Sequence, residues 1–94
     1  MQVRWTSPAV QDLEEITLYI ERDSESAAQA VAKTLFDAAN SLDLMPSRGR
    51  LGRIPGTREL VVPGFSYIIV YRVTSEAVHI VHIYHGARNW PGQQ

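Results

Sequence analysis

The feature that most constrains this chain is a pair of near-continuous apolar runs, SYIIVYRV at 66–73 and VHIVHIYH at 78–85, separated by only four residues. Each is short, rich in Val, Ile and Tyr and bounded by turn residues. That is the pattern of two strands with cover on both faces, joined by a tight connection. Arg58–Val62 reads as a third strand, closed by the Pro63-Gly64 turn, and Thr74–Ala77 makes the second turn. Strand alternation puts Tyr67, Ile69, Tyr71 and Val73 on one side and Ile68, Val70 and Arg72 on the other. A single small sheet does not stand alone in water, so the rest of the chain has to supply a lid.

The first 45 residues supply it. Gln2–Thr6 alternates apolar and polar residues and reads as a short opening strand. Ser7-Pro8 then offers a cap followed by proline at the first helical position, where its missing N–H costs nothing. A helix is expected to about Arg22, with Val10, Leu13, Ile16 and Ile20 as its apolar stripe and Leu18 or Tyr19 at the edge. Asp12, Glu14 and Glu15 in its early turns suit the positive end of the helix dipole. After the polar break Asp23–Ser26, a second helix is expected over Glu25–Leu44, with Ala28, Val31, Leu35, Ala38, Ala39 and Leu42 inward and Pro46 stopping it. The order is β-α-α-β-β-β: an α+β fold, a helical hairpin packed on a small, mostly antiparallel sheet, one domain over residues 1–94. The hairpin belongs on the Tyr67/Ile69/Tyr71 side, because Arg72 marks the opposite face. Pro46–Gly56 is expected to be irregular.

Composition narrows the chemistry. There is no cysteine, which excludes a disulfide framework, a thiolate zinc site and a thiol nucleophile. No basic-then-apolar leader and no run of about 20 apolar residues is present, so no membrane is expected and the cytoplasm is the default location. The net charge of −1 conceals a division. Residues 1–45 carry eight acids against Arg4, Arg22 and Lys33, a balance of −5; residues 46–94 carry six arginines and no lysine against Glu59 and Glu76, a balance of +4. This division fits either a sheet half that meets an anionic partner or charge that is simply solvated on both halves.

The three histidines do not form a metal site on this reading. On a regular strand His82 faces away from His79 and His85, and those two lie six residues apart, about 20 Å along the strand. Glu14, Glu15 and Glu21 belong to a solvated helix face. Ser47, Thr57 and Ser66 lack a neighbouring His–Asp pair, and GRLGR at 49–53 lacks the GK[ST] ending of a phosphate loop. No cofactor or metal is expected. The arginines remain, as permanently charged forks suited to phosphate or carboxylate. Arg48, Arg50 and Arg53 sit in the Gly/Pro-rich segment and are expected to face a target, contributing little to stability. Arg88 follows the last strand in HGARNW and either serves the target or packs on Trp90.

The element order, V-x-W-T-x-x-A-x-x-D-L-E-x-I from Val3 to Ile16, Y-I-I-V-Y-R-V at Tyr67–Val73 and H-G-A-R-x-W at His85–Trp90 together resemble the RelE/ParE superfamily of bacterial type II toxins. The resemblance covers nearly the whole chain. It implies a small toxin neutralised by a cognate antitoxin that lays a helix and an extended segment over it, forming a hetero-oligomer. The antitoxin is then expected on Ile68, Val70 and Arg72, and the target on Arg48, Arg50, Arg53, Arg88 and Trp90. The resemblance further implies one of two targets. RelE-like members are ribosome-dependent, metal-independent mRNA endonucleases; ParE-like members poison DNA gyrase and are not known as nucleases. Where the nucleases set an arginine towards the scissile phosphate, this chain has Ile68. Their lysines have at best Arg58 as a counterpart, and their C-terminal tyrosine is missing. Arg88 matches, so Arg58, His85 and Arg88 are the residues a nuclease reading would use. The ParE-like reading is favoured.

Overall fold

The computed structural model describes residues 1–87. Strand β1 (Gln2–Trp5) leads into helix α1 (Ser7–Glu21) and helix α2 (Glu25–Asn40), followed by a single 3₁₀ turn at Ser41–Asp43 and strands β2 (Arg50–Leu51), β3 (Arg58–Val62), β4 (Tyr67–Val73) and β5 (Ala77–His85). The sheet order is β1-β5-β4-β3-β2. β1 runs parallel to β5 and every other pair is antiparallel. The first strand therefore lies beside the last, and the hairpin of helices between them is carried across one face.

The helices start on hydroxyl caps. The cap of α1 is Thr6 rather than Ser7: its Oγ1 accepts from the Ala9 amide (3.3 Å) and donates to the Ile80 carbonyl (2.7 Å). One hydroxyl thus closes the helix and ties it to β5, and Ser7 has no comparable strand partner. Ser24 caps α2 through the Ala27 amide (3.1 Å). That helix stops at Asn40, short of the expected Leu44, and its last turn tightens to 3₁₀ geometry where Ser41 Oγ bonds back to the Ala38 carbonyl (2.7 Å).

The main core lies between hairpin and sheet. Val31, Leu35, Ala39 and Leu42 meet Ile69, Tyr71, Val78, Ile80 and Ile83, with Leu13, Ile16 and Ile20 of α1 packed against the same cluster. Burying each large aliphatic side chain contributes about 1.5–3 kcal/mol. The small Ala9, Ala28 and Ala39 are fully buried and let backbones approach. Val10, Leu18 and Tyr19 are exposed. The expected facing of β4 holds, since Ile69 and Tyr71 meet the helices while Ile68 and Val70 form a second, small cluster with Tyr84 and Val81.

β5 departs from simple alternation. Val70 pairs with His82 and Tyr71 with Ile80, leaving Val81 as an extra residue in a bulge. Directly opposed residues share a face. His79 lies opposite Arg72 on the open face and His85 opposite Tyr67 on the helix side. The two histidines do not share a face as expected, because the inserted residue reverses the parity of everything after it.

Candidate functional site

The Gly/Pro-rich segment is ordered by the sheet rather than left irregular. Arg50 pairs with Glu59 and Leu51 with Arg58, giving the edge strand β2. Before it, the Gly49 amide donates to Tyr71 Oη (2.8 Å), and that hydroxyl donates to the Pro46 carbonyl (2.8 Å). A Cβ on Gly49 would lie 2.7 Å from the same hydroxyl and 2.8 Å from the Glu59 carbonyl oxygen, so only glycine fits this crossing. Arg58, opposite Tyr71, donates to the Gly49 carbonyl (2.7 Å) and the Ser47 carbonyl (3.3 Å). It is a clamp on the loop.

On the open face stands Glu59, 2% exposed. Its Oε1 accepts from Arg50 Nη2 (3.0 Å) and Nε (3.3 Å), and its Oε2 from the Arg53 amide (3.1 Å). Burying a carboxylate is costly unless charge and hydrogen bonds compensate it, and Arg50 is the compensating cation. The expectation that all three loop arginines are free of structural duty is therefore corrected for Arg50. Arg48 is exposed and donates to Ser41 Oγ (2.8 Å). Arg53 is exposed as a residue, while its backbone holds Glu59. Burial pushes the neighbouring Tyr84 phenol above its usual range, and the Glu59 charge adds to this, with Arg53 and Arg50 acting in the opposite direction.

The proposed antitoxin face also changes. Ile68 is 6% exposed and Val70 1%, so neither offers a free apolar surface. Arg72 remains exposed on that side. On that face Val61, opposite Ile68, is exposed, while other exposed large apolar residues lie elsewhere, among them Leu18 and Tyr19 on α1, Phe36 on α2, Leu44 and Met45 after the 3₁₀ turn, and Leu51 on β2. A cavity of about 550 Å³ opens between α1 and the ends of β4 and β5, walled by Asp12, Glu15, Tyr19, Tyr67 and His85 among others. His85 meets the Tyr67 ring edge-on at 5.3 Å. Burial, and then the nearby Tyr19, raise the pKa of Tyr67.

The nuclease candidates do not converge. Arg58 is opposite Tyr71 and His85 opposite Tyr67, which separates them by about 13 Å along the strand direction, on different strands. Arg88 and Trp90 lie outside the described residues. Sequence reading missed Asp12, whose Oδ2 accepts from the Ile83 amide (3.0 Å) and stands 2.9 Å from His82 Nδ1. It bridges α1 to the part of β5 that β1 does not reach. Among the described residues no three His, Asp or Glu side chains gather as metal ligands. No helix there is long and apolar enough to cross a membrane.

Residues 3–90 match the family described as ParE toxin of type II toxin–antitoxin system, parDE. The chain is 46% identical to Toxin RelE2 of Caulobacter vibrioides over 87 residues, covering 93% of this chain and 97% of that one. Among solved structures, a chain of the chromosomal ParDE toxin–antitoxin system from P. aeruginosa superposes with a TM-score of 0.82 at 23% identity, covering 90% of this chain and 95% of the other; at that identity the likeness is one of fold. A chain of the RelBE2 toxin–antitoxin complex from Mycobacterium tuberculosis gives 0.60 at 25% identity, with 93% and 92% covered.

Proposed function

The chain belongs to the ParE toxin family, within the RelE/ParE superfamily of type II toxins, and from that premise we propose that it poisons DNA gyrase when its antitoxin is absent. The observation that carries this choice is Ile68. It stands where the resemblance to the nucleases requires a phosphate-facing arginine, and it is buried in an apolar cluster with Val70 and Tyr84. A transition state that gathers negative charge on phosphate loses a large electrostatic contribution at such a position. The separation of Arg58 from His85 supports the same reading, as does the engagement of Arg58 by loop carbonyls. The action is then binding, without catalysis and without a cofactor.

The second reading, a RelE-like mRNA endonuclease, is kept by the 46% identity to Toxin RelE2. An antitoxin partner is supported by the solved neighbours, which come from toxin–antitoxin systems. The burial of Ile68 and Val70 shifts the proposed docking surface towards exposed residues such as Leu18 and Tyr19. Inducing the chain in a bacterial host separates the two targets. The gyrase reading expects SOS induction and double-strand breaks with transcripts intact; cleavage of translated mRNA with no DNA damage would establish the nuclease reading.

A further inference from the structure

We propose that the open face of the sheet carries a nucleic-acid backbone contact, the cross-strand row Arg4–His79–Arg72. Arg4 lies opposite His79 across the parallel pair β1/β5, and Arg72 lies opposite the same histidine across β4/β5. The fold thus brings three residues from positions 4, 72 and 79 into one line. At about 4.8 Å per strand spacing, the arginine positions stand roughly 10 Å apart with an imidazole between them. Both arginines are exposed and His79 is half-buried.

Among the described residues none of the three is held in an ion pair. Arg4 Nε donates to Gln2 Oε1 (3.1 Å), and His79 Nε2 stands 3.4 Å from Thr74 Oγ1. Among the described residues Arg72 makes no hydrogen bond or ion pair, and no acid pairs with Arg4. The nearest acid on the neighbouring cross-strand row, Glu59, is neutralised by Arg50, and Glu76 of the adjoining turn is exposed to solvent. Placing basic side chains in one row is unfavourable for a sheet, and among the described residues no ion pair offsets it.

The surroundings choose the partner. Gln2, Thr74 and Ser75 beside the row are exposed and polar, while Leu18 and Tyr19 are exposed on α1, Phe36 stacks on Trp5 on the helix side, and the exposed Val61 of the open face lies opposite Ile68, four residues along β4 from Arg72. A protein partner needs an apolar centre to its interface. A phosphodiester backbone needs a polar, positive and wet one, and is gripped by arginine forks without regard to sequence. The inference goes beyond the gyrase reading and stands without it, because DNA alone is the ligand.

The test is fluorescence anisotropy of the purified toxin with a labelled mixed-sequence DNA duplex across a salt series. Neutralising about two phosphates predicts that Arg4→Ala/Arg72→Ala lowers the slope of log K against log salt by about 2 and weakens binding about 10-fold or more at low salt. Arg4→Lys/Arg72→Lys, which keeps the charge, should retain most of the slope. The melting temperature of each variant reports folding; should the double alanine variant fail to fold, Arg72→Gln alone should lower the slope by about 1. Polyglutamate should compete poorly. A wild-type protein that does not bind the duplex, a slope unchanged in the alanine variant, or polyglutamate competing as well as DNA would overturn the assignment.

Discussion

Replacing Arg50 with alanine removes the arginine that pairs with a glutamate the sheet has buried. The Glu59 side chain is 1% exposed and the Arg50 side chain 53%, so the pair is half open to solvent on one partner only. Breaking a fully buried pair costs about 3–5 kcal/mol. Hydrogen bonds to a charged group contribute about 1.5–3 kcal/mol. Water can reach the vacated site, which places the cost near the lower range, about 2 kcal/mol. For a domain of this size that lowers the melting temperature by about 8–16 °C. Two controls isolate the cause. Arg48→Ala removes an exposed charge held by one hydroxyl and should shift melting by no more than a few degrees. Glu59→Gln combined with Arg50→Ala should be more stable than Arg50→Ala alone, because the buried group is then neutral and still accepts from the Arg53 amide. Thermal unfolding followed by circular dichroism reads all four proteins. An Arg50→Ala variant melting within about 2 °C of wild type would refute the claim that the carboxylate depends on this cation.

Tyr71→Phe should cost about 1–3 kcal/mol in denaturant unfolding, because the Gly49 amide and the Pro46 carbonyl both lose the hydroxyl that joins them; an unchanged midpoint would mean that water replaces it. Asp12→Ala should destabilise by about 1–3 kcal/mol and raise hydrogen exchange at the Ile83 amide, since that amide bonds to the lost carboxylate. Tyr67 and Tyr84 have raised phenol pKa values, caused first by burial, so the folded state holds their protons more tightly than the unfolded state. Their contribution is present below a pH of about 10, the ordinary phenol pKa, and is lost as pH rises through the folded values. An alkaline melting series with ultraviolet detection of phenolate should show stability falling above that pH, less steeply in Tyr84→Phe.

Much of the architecture was legible because it depends on local pattern. Arg58–Val62 falls where the short run closed by the Pro63-Gly64 turn places it, and the inward set Val31, Leu35, Ala39 and Leu42 follows from helical period alone. What escaped depends on pairing across the chain. β2 is two residues long in a Gly/Pro-rich stretch and exists only because β3 lies beside it. The buried charge of Glu59 and the role of Arg50 appear only once that register is set. Val81 gives no sign of a bulge in a run of apolar residues, yet it moves His85 to the other face. The row Arg4–His79–Arg72 is likewise invisible until β1 is found beside β5. Of the candidate target residues, Arg48 and Arg53 remain exposed, while Arg88 and Trp90 fall beyond residue 87.

The most direct measurement of the central claim is a reconstituted comparison of the two targets. Purified toxin is added to gyrase with supercoiled DNA, and in parallel to ribosomes programmed with mRNA. A gyrase-poisoning toxin in which Ile68 has replaced the phosphate-facing arginine predicts trapped gyrase–DNA cleavage complexes, reversed by adding the antitoxin, and full-length mRNA on the ribosome. Ribosome-dependent mRNA cleavage, with gyrase left fully active, would contradict it.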